Sequence, residues 1–276
     1  MSAPPVALTI AGSDCCAGAG LQADLKTFSA FGVHGLSAVT SVVAETPLAV
    51  HGIYPLSPAA LQQQMRILLE AYPVSAIKTG MLGSAPHVVA VAELLAGRSI
   101  PLVVDPVMVA SSGDVLLSPD AVSAYRSRLI PLATVMTPNL HEAQQLLESS
   151  AAPSAAALAE KFGCAVLLTG GHGADRHLAA DVLVCDGSET RFESPWIEVA
   201  SSHGTGCTLS AAIAAGLARG DSLSDAIRAA KAFITRALRE SYGWESAAGQ
   251  DEVRALNQLP ASPFRPGQTK ELRPGG

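Results

Sequence analysis

Short apolar runs alternate with longer amphipathic segments along most of this chain, and the alternation predicts strands and helices in turn. Apolar runs of strand length occupy six segments, at residues 6–11, 36–44, 74–78, 101–104, 134–136 and 165–168. Segments that favour a helix lie between or beside them, at residues 21–31, 58–72, 85–96, 119–129, 140–147 and 154–162. Strands that alternate with helices in this way form a mostly parallel sheet that helices cover on both faces.

The pattern changes after residue 164. Two short strands at 180–185 and 189–193 flank the turn sequence Asp-Gly-Ser, which predicts a hairpin and therefore antiparallel strands at one edge of the sheet. An apolar run at 211–217 and a one-sided apolar pattern at 222–242 predict two further helices. We predict one three-layer α/β/α domain over residues 1–258, followed by a flexible, proline-containing tail at 259–276.

Polar residues follow one predicted strand after another. Ligands of open α/β sheets bind beyond the carboxyl ends of the strands, so this placement predicts an active site at that edge. The residues concerned are Ser13, Asp14, Glu45, Lys78, Asp105, Asn139, Thr169, His172 and Thr205 to Cys207.

A glycine-containing loop precedes the apolar run at 211–217. Gly204 and Gly206 allow a tight turn, and small helix-compatible residues follow at once. The N-terminus of such a helix binds anions, phosphate in particular, because its first N–H groups have no partner within the helix. The same position predicts a lowered pKa for the Cys207 thiol, which could then act as a base or nucleophile. The alternative is a structural glycine turn with Cys207 as a small buried apolar residue.

Glu142, with its neighbour Asn139, and Asp105 are candidates for a magnesium site. Asn139 and Glu142 lie three residues apart at the start of a predicted helix, where they could hold Mg²⁺ through water molecules. The simpler interpretation is a capping box, in which the two side chains satisfy the first backbone N–H groups of the helix. Asp105 ends an apolar strand and could orient a hydroxyl group or bind Mg²⁺, or it could be an ordinary turn residue.

Three further features are less specific. The sequence from Gly18 to Ala23 matches the G-x-G-x-x-A dinucleotide fingerprint, but its first glycine lies six residues beyond the strand-ending Gly12, which weakens the match. Lys231 is expected to be a solvated charge on a helix, although it could reach a nucleotide phosphate. The adjacent Cys15 and Cys16 lie near the predicted site without an assigned chemical role.

Composition excludes several functional classes. A net charge of −6 and a pI near 5.6 argue against sequence-independent binding of nucleic acid. No apolar stretch is long enough to span a bilayer, and the N-terminus lacks the basic residues of a signal peptide. The cysteine count is odd, five, and no pair has C-x-x-C spacing, so we expect reduced thiols in a cytoplasmic protein.

Taken together, eight collinear segments resemble the hydroxymethylpyrimidine and phosphomethylpyrimidine kinases of thiamine biosynthesis, which belong to the ribokinase-like superfamily. The resembling segments are residues 7–14, 18–27, 78–83, 105–108, 112–114, 137–142, 170–172 and 203–212. The resemblance implies a ribokinase-like fold, a homodimer and two ATP-dependent reactions. The first phosphorylates the hydroxymethyl group of 4-amino-5-hydroxymethyl-2-methylpyrimidine, and the second converts the monophosphate to the diphosphate.

The resemblance also implies residue roles. Gly204, Gly206 and Cys207 would form the anion hole, with Cys207 in place of the aspartate base of many ribokinase-like enzymes. The pyrimidine would contact Glu45 and Met81, with Val107 as an apolar neighbour. Residues expected to serve Mg-ATP are Asp105, Asn139, Glu142, Thr205 and Lys231, of which Asp105 and Glu142 would bind the metal.

Some positions depart from the family pattern. Many members have glutamine where this chain has Glu45 and lysine where it has Thr169, and Cys16 and Ala17 replace small or glycine residues. A carboxylate at position 45 can accept a hydrogen bond from an exocyclic amine but cannot donate one. Pyridoxal kinase is therefore the nearest alternative function. A non-catalytic pyrimidine sensor and a dinucleotide oxidoreductase are more distant ones.

Overall fold

Strands and helices alternate along the chain much as the hydrophobic pattern predicts. A computed structural model describes residues 2–109, 117–148, 152–170, 177–199, 203–245 and 252–260. The first elements are β1 (Val6–Asp14), α1 (Gly20–Ala30), β2 (His34–Thr46), β3 (Ala49–Pro55), α2 (Pro58–Ala71), β4 (Val74–Thr79), α3 (Ala85–Leu95), β5 (Leu102–Val104) and α4 (Pro119–Ala124). The remaining ones are β6 (Val135–Met136), α5 (Leu140–Leu147), α6 (Ala155–Phe162), β7 (Ala165–Thr169), β8 (Leu178–Cys185), β9 (Ser188–Pro195), α7 (Thr205–Ala218), α8 (Leu223–Arg239), β10 (Tyr242–Glu245) and β11 (Glu252–Ala255).

A nine-stranded sheet in the order β3-β2-β1-β4-β5-β6-β7-β8-β9 organises the fold. Its six central strands, from β2 to β7, are parallel, whereas β3 at one edge and the hairpin β8–β9 at the other are antiparallel. The chain leaves β1 first toward β2 and later returns to β4 on the other side. Ligands of such sheets bind at this switch point, so the topology places a site beyond β1 and β4.

Two hydrophobic cores, one on each face of the sheet, create the three predicted layers. Alternate residues of one strand belong to different cores: Leu8 packs in the core with α2, α3, α5 and α6, and Ala7 packs in the core with α1, α7 and α8. This follows from the two-residue period of a strand, whose side chains point alternately to opposite faces. The prediction of a mostly parallel sheet with antiparallel edges is confirmed.

Helix α7 is apolar on nearly all sides because it lies between the sheet and its neighbours α1 and α8. Ten of its residues are buried. Two of them are polar: the Thr208 hydroxyl donates to the Gly204 carbonyl, and the Ser210 hydroxyl donates to the Asp105 carboxylate. Among the described helices, α7 included, none is long and apolar enough to cross a membrane.

Several predicted boundaries were wrong. The helix predicted at 119–129 is α-helical only to Ala124 and continues as a π-helical turn, in which the Tyr125 hydroxyl donates to the Gly80 carbonyl over 3.1 Å. The helix predicted at 222–242 ends at Arg239, and the following residues form β10, which pairs with β11. The exposed edge strand β3 was not predicted. The predicted tail lies outside the described residues beyond Pro260.

A buried ion pair fastens α1 to the centre of the sheet. The Lys78 ammonium on β4 lies 2.8 and 2.9 Å from the two Asp24 carboxylate oxygens, and the Thr9 hydroxyl on β1 donates to Asp24 over 2.5 Å. All three residues are fully buried. Burial disfavours the ammonium, but the charges of Asp24 and nearby Asp105 outweigh burial and raise the pKa of Lys78. A buried pair of this kind is sensitive to the loss of one partner.

We predict that Asp24→Asn destabilises the protein by about 3–5 kcal/mol, because it leaves the Lys78 ammonium buried without its charged partner. Arg228→Ala is the control, since Arg228 pairs with Asp225 where both side chains are about two-thirds exposed. We expect that control to cost less than about 1 kcal/mol. Urea unfolding measures both values, and equal costs would contradict the structural importance of the buried pair.

Candidate active site

A cavity of about 850 Å³ opens at the carboxyl ends of the parallel strands. It brings together every residue to which the sequence analysis assigned a role: Glu45, Met81, Asp105, Val107, Asn139, Glu142, Gly204, Thr205, Gly206, Cys207 and Lys231. Among the polar strand-end residues, Asp14 and Thr169 also line the cavity, whereas Ser13 and Lys78 do not. His172, Gly171 and the segments 110–116 and 200–202 lie outside the described residues.

The glycine turn before α7 has the geometry of an anion site. Gly204 caps α7 with φ +83°, a left-handed conformation, and a Cβ atom there would overlap the carbonyl oxygen of Gly18. Only glycine fits that position without displacing the loop after β1. The first intrahelical bond of the turn runs from Thr208 N to Gly204 O, so the N–H groups of Gly206 and Cys207 have no partner within the helix. Both residues line the cavity, and an anion is the natural partner for such groups.

The sequence-based expectation of a lowered pKa for Cys207 was wrong. Burial, together with the charges of Asp105 and Asp24, raises the pKa of this thiol to about 12, although the charge of Lys78 and a hydrogen bond from the Gly20 backbone oppose the shift. The helix N-terminus lowers a thiol pKa only over its first turn. The two carboxylates that oppose this effect belong to Asp105, directly after β5, and to Asp24 on α1. In the protein without bound ligands, Cys207 is therefore a neutral thiol at pH 7.

Asn139 and Glu142 form the capping box that the sequence analysis gave as the simpler interpretation. The Asn139 side chain accepts from Glu142 N, and the Glu142 carboxylate accepts from Asn139 N, each over 2.9 Å. The other Glu142 oxygen accepts from the N–H of Met108 over 3.4 Å. This capping role does not remove Glu142 from the cavity wall.

Asp105 and Glu142 are buried acids that disfavour one another's charge. Burial raises the pKa of Glu142 to about 8, and the charge of Asp105 contributes to that shift. Burial likewise raises the pKa of Asp105, opposed by Lys78 and by the Ser210 hydroxyl, which donates to it over 2.9 Å. The buried Thr137 hydroxyl on the same wall has no hydrogen-bond partner among the described residues. These oxygen donors fit a hard divalent cation such as Mg²⁺, which would relieve the mutual repulsion.

Lys231 is buried, not the solvated charge that the sequence suggested. Its ammonium lies 2.6 Å from the Asp181 carboxylate, and Asp181 also accepts from the N–H of Gly170 over 3.2 Å. Asp181 on β8 pairs across the sheet with Thr169 on β7, so the ion pair lies beside Thr169. The Thr169 hydroxyl itself donates to the Pro138 carbonyl.

The sequence analysis missed the contact between Asp14 and His203, which lie 189 residues apart. The Asp14 carboxylate accepts from the N–H groups of Cys16, Gly18 and Ala19 and lies 3.0 Å from the His203 ring nitrogen. Burial raises the pKa of the neighbouring Glu45, and the negative charge of Asp14 raises it further. No spacing pattern links residues so distant in sequence, and only the strand-end position of Asp14 pointed to the site.

Comparison with known proteins identifies the family of this chain. A family model described as phosphomethylpyrimidine kinase matches residues 14–252. A hydroxymethylpyrimidine/phosphomethylpyrimidine kinase of Streptomyces coelicolor is 46% identical over 87% of this chain and 90% of its own length. The chain belongs to the phosphomethylpyrimidine kinase family. The thiamine biosynthesis bifunctional protein ThiED of Geobacter sulfurreducens is 43% identical over 84% of this chain and 49% of its own length.

A solved structure confirms the fold independently. The pyridoxal kinase of Staphylococcus aureus, in complex with AMP-PCP and pyridoxal, superposes with a TM-score of 0.81. It is 33% identical in sequence, and the match covers 93% of this chain and 94% of that one. The prediction of a ribokinase-like kinase is thus confirmed, and family membership argues against the dinucleotide oxidoreductase.

We predict that Gly204→Ala abolishes phosphoryl transfer, because the added methyl group must displace the Gly18 loop from the start of α7. Gly220→Ala is the matched control: Gly220 has φ +86°, but a Cβ there meets nothing within 4 Å. The control should lose about 1–2 kcal/mol of stability from backbone strain alone and keep its activity. Comparable activity in the two variants would show that the Gly204–Gly18 approach is unimportant.

We also predict a pH-dependent stability that Glu142 controls. The pKa of Glu142 is about 8 in the folded protein, against an ordinary value of 4.5 that applies to the unfolded chain. The folded state therefore holds this proton more tightly than the unfolded chain does. The resulting stabilisation is complete below about pH 4.5 and is lost as the pH rises toward about 8. Urea unfolding without divalent cations should show the loss in wild type and in the exposed control Glu70→Gln. In Glu142→Gln the loss should be clearly smaller, and an unchanged loss would refute the assignment.

Proposed function

We propose that this chain transfers the γ-phosphoryl group of ATP to 4-amino-5-hydroxymethyl-2-methylpyrimidine, and then transfers a second one to the resulting monophosphate, in thiamine biosynthesis. The observation that carries the proposal is one cavity that joins a helix N-terminus suited to phosphate with a pair of buried acids suited to a cation. Phosphoryl transfer depends on this combination of positioning and charge neutralisation. The matching family supplies the pyrimidine as the expected substrate.

Mg-ATP would occupy the wall formed by β5, α5 and α7. Asp105 and Glu142 would hold Mg²⁺, which neutralises charge on the transferred phosphoryl group. The backbone N–H of Asn139 donates to the Glu142 carboxylate in the capping box and keeps it in place. The first N–H groups of α7, including that of Thr205, would face the phosphates, and Lys231, which is paired with Asp181, would border them. The ATP analogue bound to the S. aureus pyridoxal kinase supports a nucleotide in this fold.

The pyrimidine would lie against the loops after β2, β4 and β5. Met81 and Val107 offer apolar contacts to its ring, and the Glu45 carboxylate can accept from its exocyclic amine. We expect the hydroxymethyl group of a pyrimidine bound there to point toward the N-terminus of α7. The pyrimidine and its monophosphate can then use the same anion site in the two successive steps.

Cys207 is our candidate for the proton acceptor of the first step. A hydroxyl group must lose a proton when it attacks phosphorus, whereas the phosphate oxygen that attacks in the second step is already ionised. Because the pKa of the thiol is about 12 without ligands, its thiolate is scarce at neutral pH. A base of this kind predicts a first-step rate that rises with pH while the second-step rate stays flat.

We predict that Cys207→Ala slows the first phosphorylation by at least about 100-fold, in the range that loss of a general base produces. The second phosphorylation should fall by less than about tenfold. Cys164→Ala, at a cysteine outside the cavity, is the control and should leave both rates unchanged. Single-turnover assays with the alcohol and with the monophosphate separate the steps. Equal losses would instead assign Cys207 to the shape of the anion hole.

Pyridoxal phosphorylation is the second candidate activity. The S. aureus pyridoxal kinase shares the fold, and here both Glu45 and a thiol able to meet an aldehyde line the cavity. The test is ADP release with Mg-ATP on the hydroxymethylpyrimidine, its monophosphate and pyridoxal, side by side. We expect turnover of both pyrimidines, and pyridoxal turnover alone would reassign the substrate. ADP release on none of the three, with retained ligand binding, would favour a sensor.

We further propose a homodimer in the cytoplasm. Supporting the dimer, large apolar side chains are exposed along the β2–β3 edge, where a second copy could cover them: Val42, Leu48, Ile53 and Tyr54. Supporting the location, all five cysteines are free thiols, as expected in a reducing compartment.

A further inference from the structure

Three metal-ligating side chains converge where the loop after β1 meets the turn before α7. The Cys16 sulfur lies 3.3 Å from an Asp14 carboxylate oxygen and 3.6 Å from the Nε2 atom of His203. The same Asp14 oxygen lies 3.0 Å from that nitrogen. Asp14 and His203 are buried, and Cys16 is half-buried. Sulfur, imidazole nitrogen and carboxylate oxygen therefore form one small triangle.

The size of this triangle fits a tetrahedral ion. Zinc bonds to sulfur, nitrogen and oxygen at about 2.3, 2.0–2.1 and 2.0–2.2 Å, which places three tetrahedral donors roughly 3.4–3.6 Å apart. The three observed separations, between 3.0 and 3.6 Å, lie within a few tenths of an ångström of that range.

The surrounding structure already holds two of the donors in place. The N–H groups of Gly18 and Ala19 donate to the Asp14 carboxylate over 3.0 and 2.8 Å. The His203 ring packs against Gly18, where an added Cβ would lie 2.5 Å from the ring carbon Cδ2. Hydrogen-bonded carboxylates and ring positions fixed by packing are the usual support of metal ligands.

We propose that Asp14, Cys16 and His203 form a binding site for a thiophilic divalent cation, and that Zn²⁺ is the ion this donor set fits best. The three side chains supply three ligands, and because Asp14 and His203 line the cavity, the site borders its interior, from which water could supply a fourth ligand. Binding releases the Cys16 thiol proton to solvent and forms a metal–thiolate bond. The site is separate from Asp105 and Glu142, and it does not depend on the proposed kinase activity.

Cys15 provides a matched control for Cys16. The Cys15 sulfur turns the other way, toward the backbone of Glu45, where it lies 3.2 Å from the carbonyl oxygen and 3.4 Å from the amide nitrogen. Neighbouring cysteines on one loop thus differ in whether the thiol reaches His203. The substitutions Cys15→Ser and Cys16→Ser each replace one sulfur with one oxygen and conserve the shape of the loop.

The test is a titration of the full chain with Zn²⁺ against a chromophoric chelator, together with Co²⁺, whose thiolate complexes absorb in the near ultraviolet. We expect one equivalent of Zn²⁺ and a Co²⁺–thiolate band in wild type and in Cys15→Ser. We expect at least a tenfold weaker affinity, and no such band, in Cys16→Ser. Cys16→Ala should behave like Cys16→Ser, which guards against an effect of one substitution on folding.

Two results would overturn the proposal. One is the failure of wild type to bind Zn²⁺, which would leave the three side chains as a hydrogen-bonded cluster that fixes the loop. The other is equal binding by wild type and Cys16→Ser, which would place the ion on other cysteines. Neither result bears on phosphoryl transfer, which the ADP-release assay measures separately.

Discussion

The close approach of Gly204 to the Gly18 carbonyl is the contact on which the site depends. It joins the loop after β1 to the first turn of α7, so that the proposed pyrimidine and phosphate ends of the cavity meet at one backbone contact. Gln258, near the end of the described chain, reinforces the junction: its buried side-chain amide donates to the Gly18 carbonyl and to the Thr208 hydroxyl, each over 3.0 Å. Residues from both ends of the chain thus fix the entrance to α7.

Electrostatics in the cavity are unfavourable without a ligand. Asp105 and Glu142 lie together in the cavity wall, and burial together with the charge of Asp105 raises the pKa of Glu142 to about 8, so the pair resists carrying two negative charges. The buried Lys78 ammonium offsets part of this negative charge, but its direct partner is the Asp24 carboxylate. A site arranged in this way gains most from a cation, and cations accompany nucleotide phosphates. The strained charge distribution is therefore an argument for function as much as the shape of the cavity is.

Sequence patterns predicted what depends on local periodicity and on topology. The buried parallel strands are short apolar runs, and the polar residues after them converge because parallel strands end at the same edge. Edge strand β3 escaped prediction because none of its residues is buried and it contains Gly52 and Pro55, so it lacks the buried, alternating apolar pattern of a typical strand. The predicted lowering of the Cys207 pKa was wrong for a different reason. Burial and the carboxylates of distant segments outweigh the local effect of the helix N-terminus. The burial of Lys231 and the Asp14–His203 contact likewise arise only in the folded chain.

The most direct test of the account is a crystal structure of the protein with ADP, Mg²⁺ and the hydroxymethylpyrimidine. We expect the terminal phosphate within hydrogen-bond distance of the Gly206 and Cys207 N–H groups, with the metal on Asp105 and Glu142. The hydroxymethyl group should point toward the same N-terminus of α7. Phosphates bound away from α7, or a pyrimidine away from Glu45 and Met81, would contradict the central claim that one helix N-terminus serves the transfer.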